Sequence, residues 1–391
     1  MNIANIDTSI IEQSKITVSY PFVYDTLKLK TIDIKNLIKF KNEYLKDFLP
    51  YTKNFFGNYH FKEDDTYDIS SPLVIKNTNI INMTFFKDNK IKNFIDIDNL
   101  KFYFFEKSIA ILTITYNLPI KISSEDYLLY HHKLTTIEKR SKQNLKTSQD
   151  KEYKYYFEFI YDLISPYCQN NQNIFTRSYL YSYNLIVAKE INNDMQISNF
   201  IEPLLQYRTK LDTISQDKLN ANYIQQVSNI YTIANENVVL HMGIKSDSIE
   251  NNFIEKEFFN KYQNNHFLTY LISLYQTSKI EQLIIKAFLQ EDTNKDLSTI
   301  RDIKAEILHF IANGNFTRIS NNSIRNSLYK FYRNNFEIED LIKEIDTISD
   351  KISNQLETIV QDKKAQSDEK RNLIIGIIGV ILAGIQIYQA F

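Results

Sequence analysis

All six prolines of this chain lie at or before Pro203, and no proline follows. Proline lacks the backbone N–H donor and clashes inside a helix, so a proline-free stretch is free to form long helices. Before the C-terminal segment, only Gly243 and Gly314 punctuate this part of the chain. The distribution predicts that the second half is built from long helices and that the first half turns more often.

The first half carries the patterns of strands and hairpins. Residues 16–20 alternate like a strand, and residues 101–116 contain two β-rich runs separated by a short polar connection. Residues 230–244 show the same arrangement around an Asn-Glu-Asn turn. Paired runs of this kind predict β-hairpins. We therefore expect a mixed α/β domain over residues 1–245, followed by a helical region over residues 246–336.

A heptad-like stripe follows the helical region. Its apolar members recur three and four residues apart: Ile338, Leu341, Ile345, Ile348, Ile352, Leu356 and Ile359. Charged residues occupy the other helical faces, which is typical of a coiled coil or a long packed helix. The stripe predicts a stalk helix over residues 337–372 whose apolar seam joins copies of the chain. A helix packed against its own domain would carry the same stripe.

The last segment, residues 373–391, is the most apolar part of the chain and holds three of its six glycines. As a helix it would be about 28 Å long, which is close to the minimum length for crossing a bilayer. Lys370 and Arg371 precede it as candidate basic residues at the membrane interface. The sequence predicts one C-terminal transmembrane helix with the bulk of the chain cytoplasmic. A buried core helix is the alternative.

Small and polar residues share one face of this segment. Gly376, Gly379, Ala383 and Gln386 follow one another at helical spacing. Small residues let membrane helices approach closely, and polar side chains in membranes face a partner helix or a water-filled path. We expect these four residues to pack membrane helices or to line a pore, with Gln386 either in the pore or bonded between helices.

Composition and motifs limit the activities and partners that this chain is expected to have. The net charge of −1 does not favour nucleic acid as a partner, and the single Cys168 has no partner for an intramolecular disulfide, which fits a reducing compartment. The sequence has no nucleotide-binding loop, no nucleophile elbow and no zinc-protease motif. We predict no catalytic residue and no metal site, the cofactor stays unknown, and the chain is not expected to be an enzyme.

Two stretches resemble the CorA-like superfamily, particularly the CorA-like mitochondrial proteins associated with meiotic nuclear division. One is the aromatic hairpin at 102–112. The other runs from Asn315 through Leu328 and Tyr329 into the predicted stalk. The resemblance implies a homo-oligomeric cytosolic funnel above a membrane bundle. It also brings in relatives beside bacterial CRISPR systems, which are membrane effectors switched by a nucleotide signal.

The chain departs from CorA transporters in one respect. Its four methionines lie far from the C-terminal segment, so the ion-selecting Gly-Met-Asn loop is missing. We therefore expect not magnesium transport but a pore-forming or membrane-disrupting effector, an ion channel of antiviral defence. Its partners would be the lipid bilayer, further copies of itself and a small nucleotide-type ligand. The alternative is a tail-anchored, non-conducting tether or scaffold.

Overall fold

The computed structural model describes most of the chain. The described residues are 11–25, 46–52, 73–87, 90–105, 109–137, 144–168, 178–189, 194–209, 223–227, 229–245, 251–291 and 297–390. Within the last helix, side chains are described as far as Gly379. These residues form two compact units. Unit 1 comprises Met1–Lys279 and Phe316–Glu339, and unit 2 comprises Ile280–Asn315 and Asp340–Phe391.

Unit 1 is built on an 11-stranded mixed sheet. Its strands are β1 (Ile11–Val23), β2 (Leu73–Asn77), β3 (Asn82–Lys87), β4 (Lys90–Phe104), β5 (Ile109–Asn117), β6 (Leu145–Thr147), β7 (Glu152–Tyr153), β8 (Tyr181–Lys189), β9 (Tyr223–Val227), β10 (Ile230–Ala234) and β11 (Val238–Lys245). Their order is β7-β6-β3-β4-β5-β1-β8-β11-β10-β9, and β2 pairs with β4 beside this path. The neighbours β8 and β11 are parallel, whereas the other pairs described are antiparallel.

The predicted strands and both predicted hairpins are confirmed. Strand β1 covers residues 16–20, β4 pairs with β5, and β10 pairs with β11. Strand β1 also continues through Pro21, which pairs with Ile111 on one side only. On the other side, pairing with β8 stops at Ser19. Proline cannot donate to a ladder, so it is tolerated where one edge of the strand is already unpaired.

Helices cover both faces of the sheet. The helices α1 (Ser124–Thr135), α2 (Tyr156–Ile164) and α3 (Asp194–Leu205) contribute to one apolar cluster with alternate residues of β1, among them Val18 and Tyr20. On the opposite face, Tyr183 of β8 contacts Tyr270, with ring centroids 5.1 Å apart. Because both faces are covered, β1 is buried along most of its length.

The proline-free part of the chain first forms β9, β10 and β11, and from Asn251 onward its described elements are helices. Its helices are α4 (Asn251–Lys256), α5 (Phe258–Lys261), α6 (Phe267–Glu291), α7 (Leu297–Asn313), α8 (Ser323–Asn335) and α9 (Ile338–Ala390). A π-helical turn, Tyr262–His266, joins α5 to α6. The helix α9 is continuous over 53 residues.

Unit 2 contains buried apolar residues from three helices. The buried apolar residues of α6, α7 and α9 within this unit are Ile280, Leu283, Ala287, Ile300, Ile303, Ile307, Phe310, Ile345 and Ile352. Lys286 Nζ lies 2.9 Å from Glu306 Oε2 and links α6 to α7. Gly314 follows α7, where a Cβ atom would lie 2.6 Å from Cδ2 of Phe310. Glycine is therefore required there for space.

The prediction of a transmembrane helix is wrong. Within the described part of the chain, no helix combines the length and the apolar character that crossing a membrane requires. The fold class is therefore a large mixed sheet with helices. The predicted single C-terminal span, the membrane localisation and the membrane-channel hypothesis fall with it.

Candidate assembly surface and buried polar cluster

The predicted seam of α9 divides into two lines of residues. Ile338, Ile345 and Ile352 follow one another at heptad spacing and are buried by the protein's own chain. The remaining members are half-buried: Leu341, Ile348, Leu356 and Ile359. The first line is already covered in a single copy. The second line is the part of the seam that a partner helix can still cover.

Beyond the seam, α9 exposes large apolar side chains to solvent. Leu373 is 66% exposed and Ile375 is 59% exposed, and Ile374, Ile377 and Ile378 are each at least half exposed. Contiguous apolar surface of this kind is rare on monomeric proteins and marks an interaction site. We call residues 373–379 the apolar end of α9.

The two glycines in the apolar end have open space around them. A Cβ atom placed on Gly376 or Gly379 would meet no other atom within 4 Å. Glycine costs a helix about 1 kcal/mol relative to alanine, and no contact with another described residue explains that cost here. Both glycines leave the backbone accessible to another helix. Ala383 and Gln386 lie beyond the residues whose side chains the structure describes.

Charges near the apolar end form short-range pairs on the surface. Arg371 Nη2 lies 3.9 Å from Asp368 Oδ1, one helical turn away. At the opposite end of α9, Lys343 and Asp340 form a similar exposed pair at 2.7 Å. Lys370, predicted as a basic interface residue, is exposed. Exposed pairs of this kind contribute little stability.

A second feature is a buried polar cluster in unit 1, centred on His241 of β11. His241 Nδ1 is hydrogen-bonded to Thr232 Oγ1 at 2.7 Å, and its Nε2 to the Tyr332 hydroxyl at 2.9 Å. Thr232 is the cross-strand partner of His241, and Tyr332 comes from α8. Both ring nitrogens are therefore occupied, and the imidazole ties the sheet to α8.

The π-helical turn completes the cluster. Its first residue, Tyr262, accepts a hydrogen bond on its carbonyl oxygen from the Tyr183 hydroxyl at 2.7 Å. The Tyr262 ring lies between two imidazoles, 4.6 Å from His241 and 4.5 Å from His266 by ring centroids. π-Helical turns are rare and frequently occur at functional sites. Here the turn brings Tyr262 and His266 into the polar core.

The electrostatics of the cluster favour neutral groups. Burial lowers the pKa of His241 well below its usual range. The pKa of His266 falls to about 3, through burial first and then through the positive charges of Arg325 and Lys261. Burial likewise raises the pKa of Tyr332. An acid–base catalyst needs a pKa near the working pH, and burial moves the pKa values of these groups away from neutrality.

Sequence reasoning missed this cluster. The histidines have no metal-binding spacing, and among the described residues no group of three or more His, Cys, Asp or Glu is placed to hold a metal ion. One signal was available. His241 interrupts an otherwise apolar strand, and a strand buried on both faces places every side chain in the interior.

No protein-family model matches this chain, and no curated protein matches it. The CorA-like resemblance therefore stays a prediction, and the functional argument rests on the geometry of α9 and of unit 1.

Proposed function

We propose that this protein is an assembly protein and not an enzyme, in which α9 joins copies of the chain into a homo-oligomer while unit 1 receives a ligand or partner. The observation that carries the proposal is the row of exposed isoleucines in the apolar end of α9. Burying such side chains stabilises association by about 25 cal/mol per Å² of apolar area.

A second copy of the same chain is the occupant that fits this surface best. The half-buried line of the seam lies on the same helix as the apolar end, so one partner helix could cover both. Heptad-like spacing is typical of helices that pair with their own kind. The net charge of −1 imposes little repulsion between copies. The CorA-like resemblance also implies helix-mediated homo-oligomers.

The test is the mass of the purified full-length protein in solution, measured by sedimentation velocity over a range of concentrations. The wild type should sediment as a defined oligomer. The double variant Ile374→Glu with Ile378→Glu places two carboxylates on one face of the apolar end. It should shift the protein towards monomer, because desolvating an unpaired charge in an apolar contact is costly.

A matched control is available on the same helix. Gln361→Glu with Ala365→Glu adds the same two charges at the same spacing, at positions exposed to solvent. This control should keep the mass of the wild type. A wild type that stays monomeric at every concentration, or a control that dissociates as fully as the apolar-end variant, would contradict assembly through this surface.

A further inference from the structure

Two arginines of α8 are equally buried and differ in their partners. Arg325 and Arg333 are each 3% exposed. The guanidinium of Arg333 donates to Glu339 Oε1 from Nε at 2.9 Å and from Nη2 at 2.7 Å. Its Nη1 donates to the Phe316 carbonyl oxygen at 2.8 Å. Arg333 is therefore paired as a buried charge normally is.

Arg325 has no such pairing. Among the described residues, nothing accepts a hydrogen bond from its buried Nε and Nη1 atoms. Its Cζ lies 4.3 Å from the centroid of the Phe48 ring. A ring stacked on the guanidinium covers its face and leaves its N–H bonds, which lie in the guanidinium plane, free to donate. The side chain thus keeps unused donors inside the fold.

Unit 1 holds further buried polar atoms without a hydrogen-bond partner among its described residues. The positive charge of Arg325 perturbs the His266 imidazole, whose Nδ1 is buried and has no hydrogen-bond partner among the described residues. Thr52 belongs to the same short segment as Phe48, and its buried hydroxyl is likewise without a partner there. Buried polar atoms are almost always hydrogen-bonded, so this group calls for an explanation.

The backbone holds the segment that carries Phe48 against the start of α8. Leu49 N donates to the Ile319 carbonyl oxygen at 2.9 Å, and Asn321 N donates to the Asp47 carbonyl oxygen at 2.9 Å. Both Phe48 and Arg325 are therefore fixed in place. Asp47 attracts the guanidinium electrostatically, but no ion pair joins the two side chains among the described residues.

We propose that Arg325, with Phe48 stacked on it, forms a binding site for the phosphate group of a small ligand. A guanidinium is suited to oxyanions because its planar donors match their oxygen atoms. Phosphate has more acceptor oxygens than a carboxylate and can satisfy several donors at once. The site lies in unit 1, uses none of the residues of the assembly surface, and stands or falls independently of assembly through α9.

The experiment measures the melting temperature of the full-length protein in sodium phosphate and in sodium chloride of equal ionic strength. A ligand that binds only the folded state raises the melting temperature with its concentration. Phosphate should therefore raise it by several degrees more than chloride does. Adenosine monophosphate is the second probe. A larger rise with the mononucleotide would identify a nucleotide phosphate, and an equal rise would identify free phosphate.

Three variants decide the role of Arg325. Arg325→Met should abolish the phosphate-dependent rise. Arg325→Lys keeps the charge but lacks the planar donors, and should weaken phosphate binding by about tenfold or more in a titration. Lys330→Met removes one positive charge from an exposed position of the same helix and should respond as the wild type does. If Arg325→Met does not fold, the lysine variant carries the test.

Two results would overturn the site. One is a wild type whose melting temperature rises no further in phosphate than in chloride, with the mononucleotide equally without effect. The other is a rise that persists in full in the folded Arg325 variants, which would assign it to a different part of the protein.

Discussion

Ile345 and Ile375 belong to the same helix and have opposite surroundings. Ile345 is fully buried in unit 2, whereas Ile375 is 59% exposed. The helix itself is continuous between them. One side of the first part of α9 is thus buried by the rest of the chain, whereas the apolar end is a surface element. The difference teaches that one amphipathic helix can supply folding free energy at one end and keep apolar surface for association at the other.

The largest expected effect is a loss of stability of unit 1 in acid, which α9 should not share. Residues 338–391 contain no histidine, whereas unit 1 fully buries His131 and His241 and half-buries His266. The pKa of His131 falls to about 3, through burial first and then the neighbouring His132, and the other two histidines are also shifted downward.

The direction of this pH dependence follows from the protons that the histidines bind on unfolding. The folded-state pKa of each histidine lies below its unfolded value near 6.5, so unfolding binds protons. The stability from the neutral imidazoles is fully present above about pH 6.5. It falls by up to about 1.4 kcal/mol per pH unit for each histidine as the pH drops towards 3.

Urea unfolding at pH 7 and at pH 5 tests this. The transition of unit 1, followed by tyrosine fluorescence, should move to lower urea at pH 5. His131→Gln, which removes one of the three imidazoles with a lowered pKa, should show a smaller shift. Equal midpoints at the two pH values would mean that the histidines are not buried in neutral form, and the electrostatic description of the polar cluster would be wrong.

The two isoleucines give the next largest effect. Ile345→Ala removes buried methyl groups and leaves a cavity, so it should lower the free energy of unfolding by about 2–5 kcal/mol. Ile375→Ala changes an exposed site and should alter the stability of the monomer by less than about 0.5 kcal/mol. Chemical unfolding at a protein concentration low enough to keep the chain monomeric measures both. Equal losses would show that Ile375 is buried in the monomer, and the contrast would disappear.

Substitutions of two glycines should give the smallest changes in stability, and the two changes should have opposite signs. Gly314→Ala forces a methyl group against Phe310 and should lower stability by about 1–3 kcal/mol. Gly376→Ala adds a methyl group in open space within a helix and should raise the stability of the monomer by up to about 1 kcal/mol. The same methyl group should weaken self-association, because it separates the helix backbones. Thermal unfolding and sedimentation together check both parts, and stabilisation by Gly314→Ala would show that Phe310 moves aside freely.

Much of the secondary structure could be predicted because its causes are local. The hairpin of β4 and β5 follows from two β-rich runs around a polar connection, and the continuity of α9 follows from a chain without proline. The start of α1 follows from Ser123, whose side chain accepts a hydrogen bond from the Asp126 backbone N–H. Each of these features depends on residues close together in the chain.

The sites depended on contacts between distant residues. Nothing in the pattern around His241 indicates that Thr232 and Tyr332 take both of its nitrogens. Nothing in the sequence of α8 distinguishes Arg325 from Arg333. The difference comes from Glu339, which lies outside α8 and pairs with Arg333. The transmembrane prediction failed for a related reason. The sequence of an apolar segment is the same whether a membrane, a protein core or another copy of the chain covers it.

By itself, the sequence determined which stretches extend, which turn and which continue as helix, because hydrogen bonding and steric exclusion along the backbone act over a few residues. Only the tertiary structure decided that β8 pairs with β11 in parallel and that Ile345 is buried whereas Ile375 is exposed. It also decided that Nε and Nη1 of Arg325 have no hydrogen-bond acceptor among the described residues. Burial and pairing depend on what the rest of the chain places beside a residue.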